Sequence, residues 1–188
     1  MDYFISDLHF NHKNIIQYDN RSFETVEEMN QTMIHLWNGR VRDEDNVYIL
    51  GDFGYGLVGN IHSILYRLKG KKYLIRGNHD HVFLKKETFN RALFEWIEDI
   101  KKVSGGSDGC ILCHYPMVSW AGSHKGVIQL YGHTHTWLSP VQNSYNACAV
   151  VNNYMPCTIP EIIRNNEFWR KNNPQKTEWY SDNLREDE

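Results

Sequence analysis

The 188-residue sequence has no run of about 18 apolar residues, the shortest stretch that forms a membrane-spanning helix. It also lacks the basic start and long apolar stretch of a secretory signal, so we expect a cytoplasmic protein with no membrane partner. The net charge is only −3, and no basic stripe of the kind that binds nucleic acid is present. These absences argue against membrane proteins and against a nucleic-acid partner.

Cysteine is scarce, with four residues in the chain. The spacing of Cys110 and Cys113 resembles a C-x-x-C zinc or redox motif, but the residues around them are typical of a β-strand. Side chains three positions apart in a strand point to opposite faces and cannot bind one ion together. We therefore expect reduced cysteines packed in the core of a cytosolic protein.

The composition is that of a globular protein, with 41% hydrophobic and 13% aromatic residues. The length suits one domain with one sizeable core, and neither a repeat nor an interdomain linker is visible. We predict a single domain over residues 1–170 and a loosely packed polar tail over 171–188. Trp179 and Tyr180 could anchor this tail to the body or to a second subunit, and the sequence indicates no oligomeric state.

Strand-like and helix-like segments alternate in the first half of the chain. We predict strands over 2–6, 46–50 and 73–75, and helices over 25–40, 59–69 and 82–90. This alternation indicates a parallel sheet with helical crossovers. In the second half we predict strands over 93–103, 110–114, 127–131 and 146–151, a turn over 104–109 and a helix over 160–169. Their shorter connections favour a second, partly antiparallel sheet.

Five of the predicted strands end in side chains that can bind a metal ion. Because strand ends meet at one rim of an α/β sheet, we expect these side chains to lie close together. Within each pair spaced two apart, both side chains would share a face if the segment is extended. Gly77 is expected to allow a sharp turn at its strand end, since glycine tolerates backbone angles that side chains forbid. The residues concerned are Asp7 and His9, Asp52, Asn78 and His79, His114, and His133 and His135.

The ligand types indicate which metals would bind. With His79 set aside, seven candidate ligands remain, which is too many for one ion and suits two ions that share a carboxylate. Mixed imidazole and carboxylate ligation favours manganese, iron, zinc, nickel or cobalt over magnesium or calcium. The sequence therefore predicts two divalent transition-metal ions as cofactors.

In chain order these residues form the blocks D-x-H, G-D, G-N-H-D, H and G-H-x-H, which resemble the calcineurin-like metallophosphoesterase superfamily. Residues 7–15, 114–116 and 131–133 further resemble its small single-domain microbial and phage phosphoesterases. The resemblance implies an α/β fold, a four-layer α/β/β/α sandwich of two mixed sheets known as the metallo-dependent phosphatase fold. It also implies that the site lies at the C-terminal edges of the central strands.

The resemblance implies a role for each residue. Asp7, His9 and His135 would hold the first ion, Asn78, His114 and His133 the second, and Asp52 would bridge them. His79 would be a non-ligand that protonates the leaving oxygen or binds phosphate. The implied activity is hydrolysis of a small phosphodiester or phosphomonoester by in-line attack of a metal-bridging hydroxide, with manganese as one candidate metal.

The sequence departs from the protein-phosphatase branch of the superfamily after Asp52. That branch has a second aspartate that orients the catalytic histidine, whereas this chain continues with Phe53 and Gly54. Asp80 neighbours His79, but adjacent side chains rarely face each other. The departure argues against a protein phosphatase and fits a diesterase or a small-molecule phosphatase.

Two alternatives to this function are a nuclease on the same scaffold and a non-catalytic binding scaffold. Mild acidity and small size argue against the nuclease, and the intact set of ligands with His79 argues against the binding scaffold. The side chains expected to bind substrate have equally plain structural roles as loop packing, surface residues or, for the arginine, a contact with a backbone carbonyl. They are His12, Arg76, Trp120 and His124.

Overall fold

The protein is described by a computed structural model that covers residues 1–104 and 109–177. Two four-stranded sheets form its centre. The first contains, in spatial order, β1 (Asp2–Ile5), β2 (Asn46–Ile49), β3 (Lys71–Ile75) and β4 (Ile97–Glu98), all parallel. The second contains β5 (Ile100–Val103), β6 (Cys110–Cys113), β7 (Ile128–Tyr131) and β8 (Ser144–Asn146). Here β5 is antiparallel to β6, and the other pairs are parallel.

In the described residues five α-helices accompany the sheets: α1 (Ile15–Tyr18), α2 (Val26–Arg40), α3 (Val58–Arg67), α4 (His81–Leu84) and α5 (Ile159–Asn172). Short 3₁₀ turns occupy Arg91–Leu93, Ser123–Lys125 and Pro174–Lys176. The Thr25 hydroxyl caps α2 by accepting a hydrogen bond from the backbone N–H of Glu28. Within the described ranges, every helix is too short or too polar to cross a membrane.

The two largest hydrophobic clusters join these layers. Met33 and Trp37 of α2 and Ile61 of α3 pack on the outer face of the first sheet, against residues such as Ile5 and Val47. The second core lies between the sheets and is closed by α5. It contains Phe4, Leu50, Ile75, Leu112, Leu130 and Ile162. The expected α/β architecture of two stacked sheets with helices is confirmed. An isolated antiparallel bridge joins Phe4 of β1 to Cys157, beside the parallel strands of the first sheet.

Several predicted boundaries were wrong. The strand expected over 93–103 is two strands in different sheets, joined by Asp99 alone. The helix expected over 82–90 is the four-residue α4. The late strand expected over 146–151 ends at Asn146, after which the backbone keeps only an isolated bridge from Cys148 to Ser6. Asn146 accepts from the N–H of Cys148, and Asn152 donates to the Cys148 carbonyl.

The beginning of the predicted tail belongs to the folded body. Helix α5 continues to Asn172, and the Lys176 carbonyl accepts a hydrogen bond from the N–H of Leu138. Lys176 also donates to the Thr136 hydroxyl over 2.8 Å. The expected anchoring by Trp179 and Tyr180 lies outside the described residues, as does most of the turn expected over 104–109.

Candidate metal centre

The candidate ligands follow the C-terminal ends of β1, β2, β3, β6 and β7 and meet above the two sheets. Asp52 lies at the middle of this group. Its Oδ2 is 3.7 Å from Nε2 of His9 and 3.5 Å from Nε2 of His114. A single carboxylate oxygen therefore stands between an imidazole from the first sheet and an imidazole from the second.

On one side of Asp52 lie Asp7, His9 and His135. One ligand atom from each lies within 4.8 Å of the others. Nε2 of His135 is 3.9 Å from Oδ1 of Asp7, and both Asp7 and His9 are buried. This trio has the size and the donor types of a divalent transition-metal site.

On the other side lie Asn78, His114 and His133. Oδ1 of Asn78 is 3.0 Å from Nε2 of His114 and 3.1 Å from Nδ1 of His133. His114 also groups with Asp7 and Asp52, with ligand atoms within 4.8 Å of one another. All seven predicted ligands thus converge in one cluster.

The paired ligands, two residues apart, meet in one centre for a different reason from the one expected. Asp7 and His9 have φ of 52° and 51°, and His133 and His135 have φ of 69° and 49°. These values lie in the left-handed region, so the segments are turns and not extended chain. Asp52 has φ of 54°. The shared-face argument was therefore wrong in its geometry, although the side chains do meet.

Glycines that precede the ligands allow neighbouring loops of the centre to approach each other closely. A Cβ on Gly77 would collide with Oδ1 and the backbone nitrogen of Asp52, and a Cβ on Gly51 would collide with Nδ1 of His114. A Cβ on Gly132 would lie 2.6 Å from Oδ2 of Asp7. The sharp turn expected at Gly77 does not depend on a left-handed backbone angle there, since the φ of Gly77 is not positive. Gly77 is required because only a hydrogen fits there.

Asp80 links the loop after β2 to the loop after β3 by hydrogen bonds to their backbone N–H groups. Its Oδ2 accepts hydrogen bonds from the backbone N–H of Gly77 at 2.8 Å and of Asp52 at 3.0 Å, and its Oδ1 accepts from Phe53 at 2.9 Å. Asp80 is fully buried, and burial together with the Asp52 carboxylate raises its pKa to about 7. With both oxygens engaged by the backbone, Asp80 is not a partner for the neighbouring His79 ring.

A family model described as calcineurin-like phosphoesterase matches residues 3–182. The chain belongs to the calcineurin-like phosphoesterase family. The uncharacterized protein MJ1445 of Methanocaldococcus jannaschii is 35% identical over 171 residues, covering 86% of this chain and 89% of that protein. The gene 66 protein of Mycobacterium phage L5 is 29% identical over 160 residues, covering 71% and 77%. These relatives are small microbial and phage proteins, as the sequence resemblance implied.

A solved structure supports the same assignment of fold. The protein of unknown function AQ665 from Aquifex aeolicus superposes with a TM-score of 0.66 at 26% identity. The match covers 87% of this chain and 98% of that one. Together with the family match, it confirms the metallo-dependent phosphatase fold.

Members of this family typically bind divalent metal ions, and the residues present fit such ions. Nε2 of His9 is buried and has no hydrogen-bond partner among the residues that the structure describes. A buried nitrogen without a partner is costly unless something else satisfies it. Burial also lowers the pKa of His9 well below its ordinary value, which keeps the imidazole in the neutral form that binds metals.

The pKa values of Asp52 and His114 also fit a bound cation. Burial alone would lower the pKa of His114, but the Asp52 carboxylate raises it to about 9. Burial alone would raise the pKa of Asp52, but His114 holds it well below its usual range. The pair attracts positive charge between its two groups, and a cation bound there would take the place of the proton.

The four predicted substrate-binding residues have different surroundings. Nδ1 of His12 is 3.3 Å from Nδ1 of His9, and its ring stacks on Tyr55 with centroids 5.2 Å apart, so it lies at the rim of the centre. Arg76 forms a two-point ion pair with Asp99, which is a structural contact but not the backbone carbonyl expected as its alternative. Trp120 is buried and donates its indole N–H to the Val127 carbonyl, which is loop packing. His124 is exposed within the 3₁₀ turn Ser123–Lys125.

Sequence reasoning missed two residues that contact the centre. Asp19 lies with Oδ1 2.7 Å from Nδ1 of His135, and its other oxygen accepts from Arg21. Both follow α1, where no strand end or recognisable motif singled them out. The available signal was an Asp and an Arg placed two apart in a short link, which is common in surface turns.

Proposed function

We propose that this protein is a di-metal phosphoesterase that hydrolyses a small phosphodiester or phosphomonoester. The observation that carries the proposal is the position of Asp52, whose Oδ2 lies 3.7 Å from His9 and 3.5 Å from His114. A carboxylate oxygen between two ligand sets suits a bridge between two ions. The family match supports phosphoric ester hydrolysis as the reaction class.

In this proposal the two ligand sets hold one ion each. Asp7, His9 and His135 would hold the first, and Asn78, His114 and His133 the second. When bound, two such ions would supply an acidified water and polarised phosphate oxygens, which suits in-line hydrolysis of a phosphate ester. Imidazole nitrogens in both sets favour transition metals, of which manganese is our first choice for assay.

His79 is proposed as the acid that protonates the leaving oxygen. Its backbone N–H donates to Oδ1 of Asp52 over 2.9 Å, which fixes the residue beside the centre. Its ring centroid is 5.3 Å from that of His9 and 6.2 Å from that of His12. The ring therefore borders the first ligand set, and the proposal assigns it to proton transfer and not to metal binding. Since Asp80 is engaged elsewhere, His79 has no carboxylate helper of the protein-phosphatase kind.

We propose a small substrate rather than a nucleic acid. The net charge of −3 supports this, as does the engagement of two nearby arginines, Arg21 and Arg76, in ion pairs with aspartates. The four cysteines are free and buried, which supports the expected cytoplasmic setting. Incubation with single-stranded and duplex DNA should leave both intact, and degradation would favour the nuclease.

The experiment that tests the function is hydrolysis of bis(4-nitrophenyl) phosphate by protein loaded with Mn²⁺. Wild type should release nitrophenolate, and Asp52→Asn should lower kcat/KM by about 10³-fold or more, because the bridge carries several kcal/mol of transition-state stabilisation. Asp99→Asn is the matched control, since Asp99 pairs with Arg76 at the surface. Near wild-type turnover by Asp52→Asn in metal-replete buffer would contradict the bridging role.

A further inference from the structure

The link between α1 and α2 contains a buried ion pair for which the proposed function has no role. Asp19 and Arg21 are joined by hydrogen bonds from Nε at 3.1 Å and from Nη2 at 2.9 Å to one carboxylate oxygen. The exposed fractions of their side chains are only 7% and 0%. Burying two opposite charges carries a large desolvation cost, so such a pair is weak evidence for a purely stabilising role.

The carboxylate of Asp19 faces the centre through His135. Its Oδ1 lies 2.7 Å from Nδ1 of His135, while Nε2 of the same ring lies 3.9 Å from Oδ1 of Asp7. The two nitrogens are on opposite sides of the imidazole, so Asp19 contacts the ring on the side away from Asp7. With a carboxylate this close to Nδ1, a proton on Nδ1 would leave Nε2 available to the first ligand set.

The guanidinium of Arg21 reaches the same ligand set through the backbone. Nη2 donates to the carbonyl of Asp7 at 2.8 Å, and Nη1 donates to the carbonyl of Leu8 at 2.9 Å. These carbonyls belong to the turn in which Asp7 and His9 both have positive φ. A non-glycine residue in that region is strained and stays there only when its surroundings hold it.

We propose that Asp19 and Arg21 are positioning residues for the first ion. Asp19 fixes the ring of His135, and Arg21 fixes the turn that presents Asp7 and His9. The Asp19–Arg21 pair thereby supports all three ligands of the first set. Asn78, His114 and His133 make no described contact with this pair. This inference rests on the proposed function and adds that the two ion sites depend on different supports.

The test is calorimetric titration of metal-free protein with Mn²⁺, using wild type, Asp19→Asn and Asp99→Asn. The Asp19→Asn substitution keeps the shape of the side chain but removes the charge beside Nδ1 and Arg21. It should weaken one of the two ion sites by about 10- to 100-fold and leave the other within about threefold. Asp99→Asn removes the carboxylate of an exposed Asp–Arg pair and should change neither site.

Two further measurements separate positioning from simple loss of structure. Thermal unfolding of metal-free protein should show that Asp19→Asn is folded at the titration temperature. The visible absorption of Co²⁺-loaded protein should change in Asp19→Asn and not in Asp99→Asn, since it reports the ligand geometry. Should Asp19→Asn fail to fold, Asp19→Glu decides by the same titration. Its longer side chain keeps the charge but displaces the carboxylate from Nδ1.

The outcomes distinguish this inference from the function on which it rests. If wild type binds no ion, both the positioning role and the proposed function are overturned. If wild type binds two ions and the folded Asp19 variant binds both within threefold, only the positioning role is overturned. Equal weakening of both sites would also overturn it, because the pair contacts one ligand set.

Discussion

Asp80 accepts a hydrogen bond from the backbone N–H of Asp52 over 3.0 Å, which links the loop after β3 to the loop after β2. The same carboxylate binds the N–H groups of Gly77 and Phe53. The residue that follows His79 in the G-N-H-D block is thus an internal support for the loop that carries Asp52, with no part in proton transfer.

Replacing Asp80 by alanine should destabilise the protein strongly. Three backbone N–H groups would lose their acceptor, and a buried donor without a partner costs about 1–3 kcal/mol. We expect the free energy of unfolding to fall by about 3 kcal/mol or more in chemical denaturation of metal-free protein. Asp99→Ala, at an exposed carboxylate, should change it by less than about 1 kcal/mol. A small loss in Asp80→Ala would mean that water or loop movement satisfies these groups.

Gly77→Ala should disrupt the centre although it adds only one methyl group. The added Cβ would fall on Oδ1 and the backbone nitrogen of Asp52, so either that loop moves or the variant unfolds. We expect loss of Mn²⁺ binding in the titration described above. Gly39→Ala in α2 is the matched control, because its Cβ meets nothing within 4 Å. It should bind metal normally and unfold within about 1 kcal/mol of wild type. Normal metal binding by Gly77→Ala would show that close approach is not required.

His79→Ala should slow turnover and leave the metal content unchanged. The bond from His79 to Asp52 comes from the backbone, which alanine retains, so only the imidazole is lost. A general acid contributes about 10²- to 10⁴-fold, and the loss should be greater for a phenyl ester than for a nitrophenyl ester, whose leaving group needs no proton. Elemental analysis and steady-state kinetics measure the two effects, with His124→Ala as the exposed control. Loss of metal from His79→Ala would make His79 a ligand.

The pairing of Arg40 with Glu161 should make stability depend on pH. Burial would raise the pKa of Glu161, but hydrogen bonds from Arg40 and Thr158 lower it to about 2. A depressed carboxyl pKa contributes stability above the ordinary value of about 4.3, and this contribution disappears as the pH falls through about 2.

Glu161→Gln should therefore lower the free energy of unfolding by about 1 kcal/mol at pH 7, since the pair is partly exposed and also caps α5. The difference between variant and wild type should shrink below pH 4 and vanish near pH 2. Denaturation series at several pH values measure it. A difference that does not change with pH would assign the effect to packing and not to charge.

The sequence was sufficient to predict the two sheets and the convergence of the ligands. Apolar strands that end in glycine and polar residues have few other structures available to them, and parallel strands present their ends at one edge. The left-handed turns at Asp7, His9, His133 and His135 were not predictable, because nothing local favours positive φ in aspartate or histidine strongly enough. Tertiary contacts, such as the hydrogen bond from the N–H of His133 to Asp7, hold them there.

The errors have physical causes of the same kind. Residues 93–103 look like one strand because nothing in their pattern marks Asp99 as the point where the chain leaves one sheet for the other. Residues 146–151 have strand composition, but beyond Asn146 they keep a single bridge, from Cys148 to Ser6, and the amides of Asn146 and Asn152 bond the Cys148 backbone. Asp19 and Arg21 were missed since their partners lie far along the chain, at His135 and Asp7.

The candidate ligands come from both sheets, with Asp7, His9, Asp52 and Asn78 from the first and His114, His133 and His135 from the second. An ion shared by these residues would cross-link the two halves of the molecule in the folded state only. Melting temperature would then be a function of free metal concentration, rising as the ions saturate the folded form. A stability measured without a stated free metal concentration would then refer to an undefined mixture of metal-bound and metal-free molecules.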